Sequence, residues 1–116
     1  MSKILIVDDH QDTIETIESC IKDNATKIYK ANDAKSGWTT FKKVKPDLVI
    51  TDYGMPEVDG YVLACLIAKE SQCPVILVTG YGNIDEKLKS QFVHVFPKPF
   101  PIEDFMNTVK DLLKRS

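Results

Sequence analysis

Cysteine is scarce in this chain, a basic excess is absent, and no apolar run approaches the roughly 20 residues needed to cross a bilayer. The three cysteines, Cys20, Cys65 and Cys73, are odd in number, lack CxxC spacing and lie in apolar surroundings. They read as reduced and mostly buried, which argues against a disulfide framework or a cysteine-held metal. A formal net charge of −2 offers no field for a polyanion, so direct nucleic-acid binding is not expected. One lysine and then only Ile4 to Val7 precede two aspartates, too short an apolar region for a secretion signal; the expected address is the cytoplasm, with no membrane partner. Linkers, internal repeats and low-complexity segments are lacking too. With 116 residues, 43% hydrophobic and 28% charged, the expectation is one domain over residues 1–116.

What is present is an alternation of two patterns. Short apolar runs rich in β-branched residues occur at Ile4 to Val7, Lys27 to Tyr29, Leu48 to Ile50, Val75 to Val78 and Phe92 to Phe96. Between them lie stripes at helical spacing: Ile14, Ile17 and Ile21; Ala34, Gly37, Trp38 and Phe41; Val62, Leu63, Leu66 and Ile67. The last stripe, Ile102, Phe105, Met106, Val109, Leu112 and Leu113, follows Pro101, with Glu103 and Asp104 where the helix dipole favours negative charge. Strands alternating with helices demand a parallel sheet with right-handed crossovers, and uninterrupted runs such as ILIV and VILV suit strands covered on both faces. The expected fold is a three-layer α/β/α sandwich with a five-stranded parallel sheet in the flavodoxin-like order 2-1-3-4-5. That order places Pro97 on an edge, where a missing N–H is tolerated.

In such a sheet ligands bind beyond the carboxyl ends of the strands. Strand one ends at Asp8 and Asp9, strand three at Asp52, strand four at Thr79 and strand five at Lys98. Each alone could be a turn former, a cap or a solvated edge residue. Their joint occurrence at successive strand ends is what those readings leave unexplained. Three carboxylates in one cleft repel, by roughly 1 to 4 kcal/mol per pair at about 4 Å, unless a cation joins them. Mg²⁺ suits oxygen donors and one or two carboxylates beside a phosphate oxygen, with Mn²⁺ as a substitute. Asp52 is then the candidate nucleophile toward a phosphoryl group, whose oxygens Lys98 and the Thr79 hydroxyl would bind. His10 reads as an exposed first-turn histidine, and His94 as pointing outward from an edge strand.

At this point the chain resembles a receiver domain of the two-component response regulators, on "ILIVDD", "DLVITDYGMPEVDG", "PVILVTGYG" and "KPF" in family order. The resemblance implies a phosphoaspartate signalling switch, charged on Asp52 by a sensor histidine kinase or a histidine phosphotransfer protein and read by a downstream output protein or domain. It implies Asp9 as a direct Mg²⁺ ligand, Asp8 acting largely through water, and the Gly54 carbonyl completing the protein ligands. It also implies a monomer or weak phosphorylation-linked dimer that catalyses its own phosphorylation and slow dephosphorylation. The Lys98–Pro99 bond corresponds to one that is usually cis.

Other classes fit less well. A haloacid-dehalogenase-like phosphatase wants an acid two positions after the first strand's nucleophile, where His10 stands. A flavodoxin-like cofactor binder would meet a phosphate with "DDHQD", which repels it. A pseudo-receiver docking module would not need all five site residues. Two departures from the family mark the output side. The stretch from Thr79 to Lys98 is shorter than usual, read as the loss of about one turn from helix four. Val95 stands where the family generally has Tyr or Phe. The expected switch residues are therefore Thr79, Gly80, Tyr81, Val95, Lys98 and Pro99.

Overall fold

A computed structural model describes residues 2–80 and 84–114. The elements in chain order are β1 (Ser2–Val7), α1 (Gln11–Ile21), β2 (Thr26–Ala31), α2 (Ala34–Val44), β3 (Leu48–Thr51), α3 (Gly60–Glu70), β4 (Val75–Thr79), α4 (Glu86–Lys89), β5 (His94–Pro97) and α5 (Ile102–Lys114). All four strand pairings are parallel, in the order β2-β1-β3-β4-β5. This is the expected α/β/α sandwich.

The period of two along each strand sorts the core into two layers. Ile4, Ile6, Leu48, Ile50, Ile76, Val78 and Phe96 pack with Ile14 and Ile17 of α1 and Phe105 and Val109 of α5. Leu5, Val7, Val49, Val75 and Leu77 face the other way, against Ala34 and Phe41 of α2 and Leu63, Ala64 and Ile67 of α3. Each fully buried Ile or Leu contributes roughly 1.5–3 kcal/mol of transfer free energy. A one-residue register slip would exchange the layers, so the pairing of Val7 with Thr51 and of Thr51 with Leu77 is firmly set. That register also fixes what lies one step beyond the strand ends. Asp8 and Asp52 continue the parity of Ile4 and Ile6, and of Leu48 and Ile50, and Lys98 that of Phe96.

Some local expectations need correction. Ile102 and Val62 are largely exposed, and α3 buries Gly60, Leu63, Ala64 and Ile67 instead of a stripe led by Val62. The α5 stripe begins at Phe105; Ile102, the helix's first residue, is exposed. All three cysteines are free, but half-buried, not mostly buried. Burial pushes the Cys73 thiol up to about 12, so it remains protonated, and it donates to the Pro46 carbonyl at 3.3 Å. The fifth strand starts at His94, with Phe92 buried in the turn before it, and α4 is a single turn.

Candidate functional site

The site is assembled by three strand ends and the bond that joins β4 to the segment after β5. Asp8 follows β1 and Asp52 follows β3; the Asp52 N–H donates to the Val7 carbonyl at 2.9 Å, tying the two strand ends together. The Lys98 N–H donates to the Thr79 carbonyl at 2.8 Å, which fixes where the lysine leaves β5. Lys98–Pro99 is cis. From there the lysine reaches back across the sheet edge: its Nζ lies 3.0 Å from Asp8 Oδ2 and 3.3 Å from Asp52 Oδ1.

The two buried carboxylates are held differently. Asp8 is 1% exposed and has both oxygens engaged, Oδ2 by Lys98 and Oδ1 by the His10 N–H at 2.9 Å. Asp52 uses Oδ1 twice, for Lys98 and for the Tyr53 N–H at 2.8 Å. Burial first, and the charge of Asp8 second, raise the Asp52 carboxyl above the ordinary carboxylate range, with Lys98 and the Tyr53 N–H opposing. Asp9 is more open, yet its Oδ1 is shut off from solvent and makes no hydrogen bond. The His10 ring is mostly exposed, as expected, but its Nδ1 lies 3.1 Å from that oxygen and 3.3 Å from Asp8 Oδ1, too poorly aligned with the former to bond. One donor atom from each of Asp8, Asp9, His10 and Asp52 falls within 4.8 Å of all the others.

Thr79 ends β4 with its side chain buried, and Gly54 is half-buried in the loop after Asp52. Val95 is partly buried, pairs with Leu77 and packs on the α2/α3 layer. At Gly80 an added Cβ would meet nothing within 4 Å. Tyr81 lies outside the described residues. Sequence reasoning gave no role to Gly60. At the start of α3 its N–H donates to the Tyr53 carbonyl at 2.8 Å, and a Cβ there would lie 2.0 Å from the Asp52 carbonyl oxygen. Asp59 caps α3 by accepting from the Val62 N–H, and the close approach of Gly60 behind it carries no sequence signal.

A lysine bridging two buried carboxylates, beside a third with an unsatisfied oxygen, is an arrangement that can hold a cation and a phosphoryl group together. Comparison with known proteins agrees. Residues 4–110 match the family described as response regulator receiver domain. A probable transcriptional regulator, ycf27, of Galdieria sulphuraria is 29% identical over 97% of this chain and 46% of its own length. The DNA-binding dual master transcriptional regulator RpaA of Synechocystis is 26% identical over 100% of this chain and 51% of its own. The chain thus spans about half the length of these curated relatives. Among solved structures, the Francisella response regulator 1452 receiver domain superposes with a TM-score of 0.88 at 27% identity, covering 99% of this chain and 98% of that one. Fold, strand-end chemistry and sequence match converge on one conclusion: the chain belongs to the response regulator receiver domain family.

Proposed function

We propose that this domain is a phosphoaspartate switch in which Asp52 accepts a phosphoryl group from the phosphohistidine of a sensor kinase or phosphotransfer protein. The observation that carries the reading is Lys98 Nζ seated between Asp8 and Asp52. With Oδ1 of Asp52 occupied by Lys98 and Tyr53, Oδ2 is the oxygen that attacks phosphorus as the P–N bond to the donor imidazole breaks. The Lys98 ammonium, already within reach, moves from carboxylate to phosphoryl oxygen, and the Thr79 hydroxyl supplies a second donor from the adjacent strand end.

A divalent cation of the Mg²⁺ type fits this cleft. Three carboxylates face one ammonium, and Asp9 Oδ1 is buried without a hydrogen bond. Asp9, Asp52 and the Gly54 carbonyl would hold it, with Asp8 behind them, anchored to Lys98. When bound, such an ion neutralises charge on the phosphoryl oxygens and on Asp52. A haloacid-dehalogenase-like phosphatase finds no second acid, since His10 occupies that place. Because the chain spans only about half of its curated relatives, an output segment in a longer protein, DNA-binding or otherwise, belongs to this proposal too. No helix among the described residues is long and apolar enough to cross a membrane, in keeping with a cytoplasmic partner kinase domain.

The test is intact mass after incubation with Mg²⁺ and acetyl phosphate or phosphoramidate. A single phosphoryl adduct that requires Mg²⁺ and disappears in Asp52→Asn is expected. No adduct in the wild-type protein would reduce the domain to a docking module.

A further inference from the structure

Helix α3 carries no charge from Gly60 to Ala68, and its one hydroxyl, on Tyr61, is hydrogen-bonded with the Cys65 side chain. The sheet takes only part of this apolar surface. Gly60, Leu63, Ala64 and Ile67 face inward, whereas Val62 is 43% exposed and Cys65 and Leu66 are half-buried; among the described residues, none of these three packs in either core layer. Spacings of three and four place Val62, Cys65 and Lys69 in one outward row, with Tyr61 and Leu66 beside it. The surface continues past Ala68 into a groove of about 250 Å³ bordered by Val93, itself 49% exposed. The outward row of a solvated helix is ordinarily polar, so this face lacks the polar residues that water alone would require.

The charges at its two ends select the occupant. Glu57 and Asp59 precede the first turn, and Lys69 closes the outward row at the other end. Two copies of α3 laid parallel would set Lys69 on Lys69 and Asp59 on Asp59. Laid antiparallel, each lysine meets the acidic end of the other copy, and the helix dipoles oppose favourably. Such a face is its own complement, which is what a two-fold interface requires. We propose that two copies of this chain pair through α3, antiparallel, about an axis level with Ala64 and Cys65. Val62 of each copy then packs on Leu66 of the other, and the two Cys65 side chains lie together at the axis. At 1.5 Å per residue the helix is only about 16 Å long, so the contact falls well below the roughly 800 Å² per partner of a stable complex, and the dimer is weak and concentration-dependent. The loops after Asp52 lie at opposite ends of the pair, which leaves both clefts open. Pairing requires no phosphoryl group.

Sedimentation of the full, unphosphorylated chain under reducing conditions should show the average mass rising from one chain toward two between about 10 μM and 1 mM. Val62→Glu is expected to weaken association about tenfold or more, with an unchanged thermal melt at dilution. Lys69→Glu should weaken it several-fold at low salt and less at high salt, because the lost attraction is between exposed charges. Ile102→Glu, at an exposed apolar residue elsewhere, should leave the equilibrium as it is. Mild oxidation of the concentrated wild type followed by peptide mapping needs no variant and should give a dimer joined through Cys65 to Cys65. A wild-type chain that stays monomeric up to about 1 mM, a dimer indifferent to Val62→Glu, or an oxidised dimer joined through Cys20 or Cys73 would overturn the proposal.

Discussion

At the scale of single residues, the site is a set of charges that the fold holds at a cost. Asp52 ionises less readily in the folded chain than in the unfolded one, since burial and Asp8 both raise its carboxyl pKa. Its proton therefore binds the folded state better. The resulting stability is fully present below the unfolded value of 3.8 and is lost as pH rises through the folded value. At neutral pH the ionised carboxylate is a net liability, and Asp52→Asn should stabilise the metal-free protein by about 1 kcal/mol. The gain should shrink as pH falls toward 4, and adding Mg²⁺ should narrow it as well. Urea midpoints with chelator across pH 4–7.5 measure this; an unchanged or lowered midpoint at pH 7 would show that Lys98 already compensates Asp52 in full. Lys98 is the reason the effect is modest, because it opposes both causes of the shift.

At the scale of elements, the strand ends are placed by register and the loop after β3 by one helix start. Gly60→Ala drives a methyl group into the Asp52 carbonyl, and backbone cannot yield there without dragging the Asp52 side chain with it. The expected cost is about 2–4 kcal/mol by chemical denaturation, with phosphorylation by acetyl phosphate falling more than in a variant equally destabilised elsewhere. Gly37→Ala is a suitable comparison, since its Cβ would press on the side chain of Val7 and not on backbone. The contrast shows where sequence reading reached and where it stopped. ILIV and VILV announced buried parallel strands, and the ends of four of the five apolar runs pointed to Asp8, Asp52, Thr79 and Lys98, because an uninterrupted apolar run is a local property of the chain. Gly60 escaped notice because its constraint comes from a carbonyl eight positions away that only the tertiary fold brings near. His10 was read correctly as exposed, but exposure of a ring does not tell which way Nδ1 turns; that depends on the N-cap angles and on the bond to Asp8. Val62 and Ile102 failed for a related reason, as helical spacing alone does not say which of two adjacent apolar rows faces the sheet.

At the scale of the whole molecule, the question is where a change at Asp52 can travel. Strand β5 is a stiff route: Phe96 packs edge-on against Phe105 at 5.3 Å, Phe100 lies 4.7 Å from the same ring, and Val95 is seated on the α2/α3 layer. Helix α4 is the opposite. It is four residues long, buries none of them, and is held at its start by Asp85 accepting from the Lys87 N–H. Few buried contacts mean low local stability, so a displaced Thr79 should pass its motion along the chain into α4 rather than sideways into β5. Val95 offers no large ring to fill space that Thr79 vacates, which removes the route an aromatic would have provided. We therefore expect a phosphoryl mimic such as beryllofluoride, added with Mg²⁺, to shift a pre-existing equilibrium at this end of the sheet. Backbone amide spectra with and without the mimic should show large changes at Thr79, Gly80 and Ile84 through Lys89, and small ones at Val95 and Phe96. A response centred on β5, or confined to Asp52 and Tyr53, would place the moving element elsewhere. In that case the aromatic packing of Phe96 on Phe105 would have to be looser in solution than its geometry indicates, and Phe105→Leu, which thins that contact, should enlarge the β5 response.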